Sequence, residues 1–359
     1  MQWCATCAAG SDGWTRRHFL FALGQACLAT ALLPRSGAAF TVMDESTDVN
    51  IGREADPQIL RQFGYYDSPD LQNYIAQVGQ LVASSGDTRF SFQFKVVDQD
   101  YVNAFALPGG FIYVTRGILA EMNDEAQLAS VLGHEITHVN SRHGAKLLTK
   151  ALGGQLATIL GVGAAAAAGG GGAVAGVAMI SSHLTNYILL GYGREYELEA
   201  DEVGLRRAQR AGYDPRRMVT FLRDLRRSEI LHGQSTYHGF EATHPDTAIR
   251  IAKADTMATL LASEGGALEL KADNYKAHLD KLRYGETKEQ LRLKVYTVKS
   301  GDTLASIARE EMGDEGRRFQ VATLNGLRDD AVLTPGSRLK LVVKNVPGSR
   351  LDLTIEEKK

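Results

Sequence analysis

The sequence predicts an α+β protein in which a large, mostly helical domain with a small sheet precedes a small β-α-α-β domain. Apolar residues recur at helix-like spacings over most of the chain, whereas a few short runs before residue 116 alternate with period two. A separate strand-helix-helix-strand pattern begins near Val295. The 359 residues, of which 44% are hydrophobic and 23% charged, are typical of a globular enzyme or binding protein. The net charge of −2 argues against nucleic-acid binding, which needs a strongly basic face.

Residues 1–39 have the pattern of an export signal. Arg16 and Arg17 precede a short apolar run, Phe19–Leu33, which is followed by small residues at positions 36–39. The paired arginines resemble those of twin-arginine signals, although Phe21 stands where a lysine is frequent. All three cysteines lie in this leader, so the rest of the chain has no thiols. We therefore expect a mature protein that begins near Phe40 and resides in the periplasm, in association with the membrane or the cell wall.

The first elements after the leader are helices and then a small sheet. Residues 50–85 predict helices that start at Pro57 and Pro69. Period-two alternation predicts a strand over Phe90–Val97. Two further extended runs, Val102–Leu107 and Phe111–Thr115, flank the turn at residues 108–110.

Helical patterns dominate the following part of the chain. A helix is predicted to begin at Asp124, with Gln127 as its capping-box partner, and to run to Val139. Four more helices are predicted over residues 194–211, 215–227, 245–264 and 271–283. Between them, residues 151–193 contain no charged side chain and are rich in glycine and alanine. We interpret this insert as a mobile lid or substrate-facing flap, with a membrane contact as the alternative.

The helix that begins at Asp124 carries a candidate metal site. His134 and His138 are four residues apart, so their rings project from one face of the helix and can converge on one ion. Glu135 falls inside the apolar arc of the same helix, where a carboxylate is costly unless it faces a cation or a polar cavity. A bound cation with a water molecule explains that position.

A second helix offers the remaining ligand. Glu197 and Asp201 are also four residues apart and share a face. Catalytic zinc commonly has three protein ligands, so Glu197 can be the third, and Asp201 can hold a ligand histidine through its other ring nitrogen. Glu195 and Glu199 belong on other faces, where we expect exposure to solvent.

These segments together resemble the BepA/HtpX-like zinc metallopeptidases, gluzincins related to the CAAX prenyl proteases. The matching segments are Asn103–Gly110, His134–His138, Arg194–Asp201 and Thr243-His244-Pro245 with Arg250, within residues 45–262. The resemblance implies a zincin-type metallopeptidase domain over residues 40–283. It also implies one zinc ion per chain, held by His134, His138 and Glu197 and supported by Asp201. Gly193 stands where relatives often have serine, which changes no ligand.

The resemblance further implies roles in substrate binding and catalysis. Asn103, Ala104 and Phe105 would belong to an edge strand that pairs with the substrate backbone. Glu135 would act as the general base. His244 and Arg250 would stabilise the oxyanion, or His244 would occupy the fourth zinc position as a gate. The other two histidines considered, His143 and His183, are expected to be surface or structural residues.

The C-terminal pattern resembles a LysM module. Tyr296–Ala308, Leu324–Leu327 and Leu333–Leu339 match its start, middle and end. The predicted boundaries are a linker at 284–294, the module at 295–345 and a polar tail at 346–359. The resemblance implies binding to peptidoglycan, and a packing domain without a sugar site is the alternative.

Two functions follow from these features. The first is a zinc-dependent metalloendopeptidase of the bacterial envelope that cleaves misfolded or misassembled envelope proteins. The alternative is a cell-wall-associated chaperone or scaffold whose protease core is held shut by His244.

Overall fold

The computed structural model describes residues 44–152, 191–232, 243–244, 247–264 and 266–344. The predicted leader, nearly all of the uncharged insert, His183 and the polar tail lie outside these ranges. No helix among the described residues is both long and apolar enough to cross a membrane.

The first sheet has three strands in the order β1-β3-β2. These strands are β1 (Gln93–Val97), β2 (Ala104–Leu107) and β3 (Phe111–Thr115). β1 is parallel to β3, and β2 is antiparallel to β3, with Ala104 opposite Val114. The β2–β3 turn uses Gly109 and Gly110, whose φ angles of 82° and 107° favour glycine. The predicted strands are confirmed, and β2 lies at one edge of the sheet.

Alternating side chains of this sheet enter two different cores. Five residues of one face pack with the first helix, α1 (Glu45–Phe63), and with α5 (His143–Leu152): Val97, Phe105, Leu107, Phe111 and Tyr113. Their neighbours enter the main core: Val96, Ala104, Ala106, Ile112 and Val114. The sheet is therefore buried on both faces.

The helix start predicted at Pro57 is wrong. Pro57 lies inside α1, which begins after Asp44, whose side chain accepts a hydrogen bond from Thr47 N. Ile51, Ala55 and Ile59 are fully buried at four-residue spacing on both sides of the proline. Burial of this continuous apolar stripe offsets the missing backbone donor. Pro69 does open the second helix, α2 (Pro69–Ser84).

α3 (Arg116–Glu121) and α5 were not predicted from the sequence. The five predicted helices of this part of the chain are all observed: α4 (Glu125–Asn140), α6 (Arg194–Arg210), α7 (Arg216–His232), α8 (Thr247–Ser263) and α9 (Ala272–His278). α7 ends five residues after its predicted end, and α9 ends five residues before it. Asp124 caps α4 by accepting from Gln127 N. The Gln127 side chain accepts from Asn123 N, one residue before the position that a capping box requires.

The C-terminal module has the predicted β-α-α-β order. It consists of β5 (Leu291–Thr297), α10 (Leu304–Met312), α11 (Arg318–Leu324) and β6 (Arg338–Lys344). Five of the eleven residues in the segment expected as a linker, 284–294, instead lie in the second sheet, where β4 (Arg283–Tyr284) pairs antiparallel with β5. Leu293 is 1% exposed and joins the core of the large domain, which explains why this segment is held in place.

Lys340 joins the module to the large domain. Its side chain is fully buried, and Nζ donates to the backbone oxygens of Ala120 and Met122 at 2.5 and 2.6 Å. These carbonyls lie at the C-terminal end of α3, where a cation is favourable. Leu324 and Val342 of the module also belong to the main core. The module therefore has a hydrophobic cluster of its own, built between its strands and helices, and is joined to the main core through these few residues.

Candidate metal centre and active site

Two glycines set the distance between the helices that carry the predicted ligands. A Cβ built on Gly204 of α6 would lie 2.6 Å from His134 N, and one on Gly133 of α4 would lie 2.7 Å from Gly204 O. The two backbones are therefore in direct contact. This crossing brings His134 and His138 on α4 opposite Glu197 and Asp201 on α6.

Four buried side chains converge beside this crossing. His134, His138, Glu197 and His244 each offer one ligand atom, and these atoms lie within 4.8 Å of one another. The Nε2 atoms of His134 and His138 are 3.0 Å apart. Each lies 3.4–3.5 Å from a carboxylate oxygen of Glu197. His244 Nδ1 is 3.0 Å from the same carboxylate and 3.2 Å from His134 Nε2.

Glu135 is an unusual acid within this cluster. Its side chain is fully buried, and neither carboxylate oxygen has a hydrogen-bond partner among the described residues. The nearest ion-pair contact is His244 Nε2 at 3.6 Å. A buried carboxylate without partners is costly, as the sequence pattern indicated. A cation and a polar reactant beside it would supply the missing partners.

The donor set fits a metal ion. Imidazole nitrogens and a carboxylate are common ligands of divalent transition metals, and the four atoms are close enough to surround one ion. The Glu135 carboxylate at the same place, which accepts no hydrogen bond from the described residues, agrees with a cation there. The cluster is therefore a candidate metal centre.

Asp201 and Arg250 form a charged pair behind the histidines. Asp201 Oδ1 lies 2.9 Å from His134 Nδ1, the ring nitrogen that points away from the cluster. The Arg250 guanidinium donates two hydrogen bonds of 2.7 Å to Asp201. It also contacts Glu197 at 2.9 Å and the backbone oxygen of His244 at 3.0 Å. Arg250 thus binds two carboxylates, an arrangement different from that of the oxyanion donor expected from the sequence.

The charges in the cluster shift its pKa values in opposite directions. Burial alone would raise the pKa of Glu197, but His244 and the bonds from His138 and His244 hold it well below its usual range. Burial likewise opposes ionisation of Asp201, yet Arg250 lowers its pKa to about 2. The pKa of His244 is raised because Glu197 outweighs its burial, whereas burial lowers the pKa of His138. Both acids are therefore ionised at neutral pH.

The predicted substrate residues lie against the segment that carries His244. His244 Nε2 is 3.3 Å from the backbone oxygen of Ala104, on the edge strand β2. Thr243 donates a hydrogen bond of 3.1 Å to the Asn103 side chain. The Phe105 ring instead stacks on Tyr113 in the core on the α1 side of the sheet. Asn103 and Ala104 are thus near the cluster, and the Phe105 side chain is not.

Two residues beside the cluster were not identified as site residues from the sequence. His143, expected to be a surface or structural residue, is fully buried, and its Nδ1 lies 3.0 Å from His138 Nδ1. The ring of Tyr192 stacks on His138 with a centroid distance of 4.0 Å. A spacing of five residues does not return to the same face of a continuous helix, so helical periodicity gave no signal for His143.

Comparison with known sequences identifies two family matches. The profile of Peptidase family M48 matches residues 68–258, which include all the predicted site residues. The profile of the LysM domain matches residues 296–310, which include the end of β5 and most of α10 in the C-terminal module.

The similar proteins include bacterial and mitochondrial proteases. The beta-barrel assembly-enhancing protease of Escherichia coli (strain K12) is 32% identical over 193 residues, which cover 52% of this chain and 38% of that protein. The protein of the same name from Yersinia pestis is 34% identical over 160 residues, covering 44% and 33%. The mitochondrial metalloendopeptidase OMA1 of Schizosaccharomyces pombe is 29% identical over 210 residues, covering 57% and 59%. The chain thus spans less than two fifths of the length of these bacterial relatives.

Proposed function

The chain belongs to peptidase family M48, and from this premise we propose that it is a zinc-dependent endopeptidase. The observation that carries the proposal is the position of Glu135. An acid whose two oxygens accept no hydrogen bond from any part of the chain that the structure describes lies among His134, His138 and Glu197, which are a typical donor set for catalytic zinc. The same geometry would be costly in a protein that used this interior only for packing.

The side chains divide into ligands and a base. His134, His138 and Glu197 would hold the zinc ion. When bound, zinc supplies a Lewis acid that polarises a carbonyl oxygen and makes hydroxide available near neutral pH. Glu135 accepts the proton of the attacking water, because no described residue donates a hydrogen bond to its oxygens, and then delivers it to the leaving amine. Asp201 orients His134 by accepting from its Nδ1.

Arg250 would keep this arrangement in place. Its contacts with Asp201 and Glu197 offset the repulsion between two buried carboxylates. Loss of the guanidinium would leave both acids without their cation, a change that typically costs about 3–5 kcal/mol. We therefore assign Arg250 to positioning in preference to oxyanion stabilisation.

The edge strand supports an extended protein or peptide substrate. The backbone oxygen of Ala104 faces the cluster and lies against His244 Nε2. A substrate strand that replaced this contact would pair its backbone N–H with Ala104. His244 would then have to leave the cluster, which is the gating role considered from the sequence. Pairing through the backbone selects for extended segments rather than for particular side chains.

The bacterial relatives and the module suggest where the enzyme acts. Two of the relatives are named beta-barrel assembly-enhancing proteases. The LysM match suggests peptidoglycan as a partner, and the leader pattern suggests export by the twin-arginine route to the periplasm. On these grounds we infer that the substrates are misfolded or misassembled envelope proteins.

One observation favours a second function. His244 contacts Glu197 and Ala104 and lies within ion-pair distance of Glu135, so it covers the candidate base and the substrate strand at once. A protein in which His244 kept this position would act as a cell-wall-associated chaperone or scaffold with an inactive protease core.

Casein cleavage by the wild type, Glu135→Gln and His244→Ala separates these functions. Zinc content and thermal stability of all three proteins serve as controls. We expect Glu135→Gln to retain zinc and lose about 100-fold or more of the rate, because the amide cannot take a proton. His244→Ala is expected to raise cleavage. Activity that survives in Glu135→Gln would refute the endopeptidase mechanism, and two inactive zinc-loaded proteins, the wild type and His244→Ala, would favour the scaffold.

A further inference from the structure

His143 approaches the predicted ligand His138 from the side opposite the metal centre. The Nε2 atom of His138 faces His134 and Glu197, at 3.0 and 3.4 Å. Its other ring nitrogen, Nδ1, lies 3.0 Å from Nδ1 of His143. His143 is not a member of the four-residue cluster, so it meets His138 as a partner and not as a fourth ligand.

Only one arrangement of hydrogens suits these distances when His138 binds a cation. The lone pair of Nε2 is then used by the cation, and the ring hydrogen of His138 resides on Nδ1. Nδ1 of His143 must accept that hydrogen, and the hydrogen of His143 resides on its own Nε2. Glu199 Oε2 lies 3.4 Å from this Nε2, a long contact whose negative charge favours a hydrogen there.

The turn between α4 and α5 positions His143 next to His138. Arg142 has a φ of 57°, a left-handed conformation that is uncommon for a residue with a side chain. Its Nε donates a hydrogen bond of 2.5 Å to Asp48, an acid that is 1% exposed on α1. The backbone oxygen of Arg142 accepts from Lys146 N, which starts α5. A partly buried ion pair therefore holds a strained turn directly before His143.

Other contacts fix the ring of His143. The ring stacks on Tyr196 with a centroid distance of 4.4 Å and an interplanar angle of 18°. Glu199 on the same helix as Tyr196 accepts a hydrogen bond of 2.5 Å from Ser141. Three elements, α1, α4 and α6, thus contribute to placing one imidazole that is itself fully buried.

We propose that His143 is a positioning residue that fixes the ring hydrogen and the orientation of His138. The inference rests on the proposed zinc site and adds to it. Asp201 performs this task for His134, so each ligand histidine has its own acceptor. Partners of this kind hold the ring in place, and their loss typically lowers metal affinity about 10- to 100-fold.

The test compares His143→Asn with His143→Leu in the full chain. The asparagine oxygen lies near the position of the lost Nδ1 and can accept from His138, whereas leucine fills the space without an acceptor. Both variants lose the stack on Tyr196, so the unfolding of the metal-free proteins measures the packing cost separately. Zinc affinity is measured by competition with a chelator, and the ligand geometry by the visible spectrum of the Co(II)-substituted protein.

We expect His143→Leu to bind zinc about 10- to 100-fold more weakly and His143→Asn to recover most of the loss. The control is His278→Leu, which removes an imidazole that stacks on Tyr74 outside the cluster and should leave zinc affinity unchanged. Wild-type affinity in His143→Leu, or an equal loss in both His143 variants, would overturn the inference. If His143→Leu does not fold, His143→Ala takes its place in the comparison. A wild type that binds no zinc would instead refute the proposed metal site.

Discussion

Replacing Gly204 by alanine is expected to separate the two helices that form the metal centre. The new Cβ would lie 2.6 Å from His134 N and 2.9 Å from the carbonyl carbon of Gly133. An ordinary contact there is 3.4 Å or more. The helices must therefore move apart by about 0.8 Å, because main-chain atoms on both sides cannot rotate away as a side chain can.

The size of the effect follows from two opposing contributions. Alanine is more favourable than glycine inside a helix by about 1 kcal/mol. Overpacking of a tight interior costs about 1–3 kcal/mol and occasionally more. Since the new Cβ would clash with backbone atoms of the facing helix, we take the upper end and expect a net loss of about 2 kcal/mol in the free energy of unfolding. A functional site tolerates displacements of only about 0.5 Å, so zinc affinity should fall by about tenfold or more.

Chemical denaturation of the metal-free protein and chelator competition measure these two effects. Gly144→Ala is the matched control, because it lies in helix α5 and the nearest atom to its Cβ is 3.5 Å away. That control should be neutral or more stable by up to about 1 kcal/mol. A Gly204→Ala protein with wild-type stability and wild-type zinc affinity would refute the claim that this glycine contact sets the ligand geometry.

Two further predictions concern the charged pair behind the site and the junction with the module. Because the pKa of Asp201 is lowered from 3.8 to about 2, its stabilising contribution is complete above pH 3.8 and is lost as the pH falls towards 2. Urea unfolding of the metal-free wild type should lose about 2 kcal/mol in this window, and Asp201→Asn should lack that component; parallel pH profiles would contradict the assignment. Lys340→Ala leaves two buried carbonyls without their donor and should cost about 2 kcal/mol. The wild type should unfold in one transition, whereas two separate transitions would show that the module is independent.

Local patterns predicted most of the elements and the principal ligands. The spacing of four between His134 and His138, and again between Glu197 and Asp201, is a property of a single helix and needs no knowledge of the fold. The alternation that predicts β1 and the capping of α4 by Asp124 are equally local. Glu135 could be identified in the same way. Its position within the apolar arc follows from spacing along one helix, and an acid is unfavourable at such a position.

The errors arose where local rules met competing long-range contacts. Proline is frequent in the first turn of a helix, which is why a helix was predicted to start at Pro57. The apolar stripe of α1 packs on the sheet and keeps the helix continuous through this residue. The segment 284–294 is polar enough to resemble a linker, but the side chain of Leu293 is buried in the main core. Burial against distant residues outweighed the local preference in both cases.

Which residues share a helix face, and which helices could supply a metal site, therefore follow from the order of the residues along the chain. How closely those faces approach depends on the packing of the two helices, through the contact of Gly133 with Gly204. The contact of His143 with His138 also depends on the fold, because the backbone changes direction at Arg142, whose side chain is bound by Asp48 on α1. Periodicity repeats along one helix and is visible in the sequence, whereas crossings and turns depend on atoms far apart in the chain and become visible only when the chain is folded.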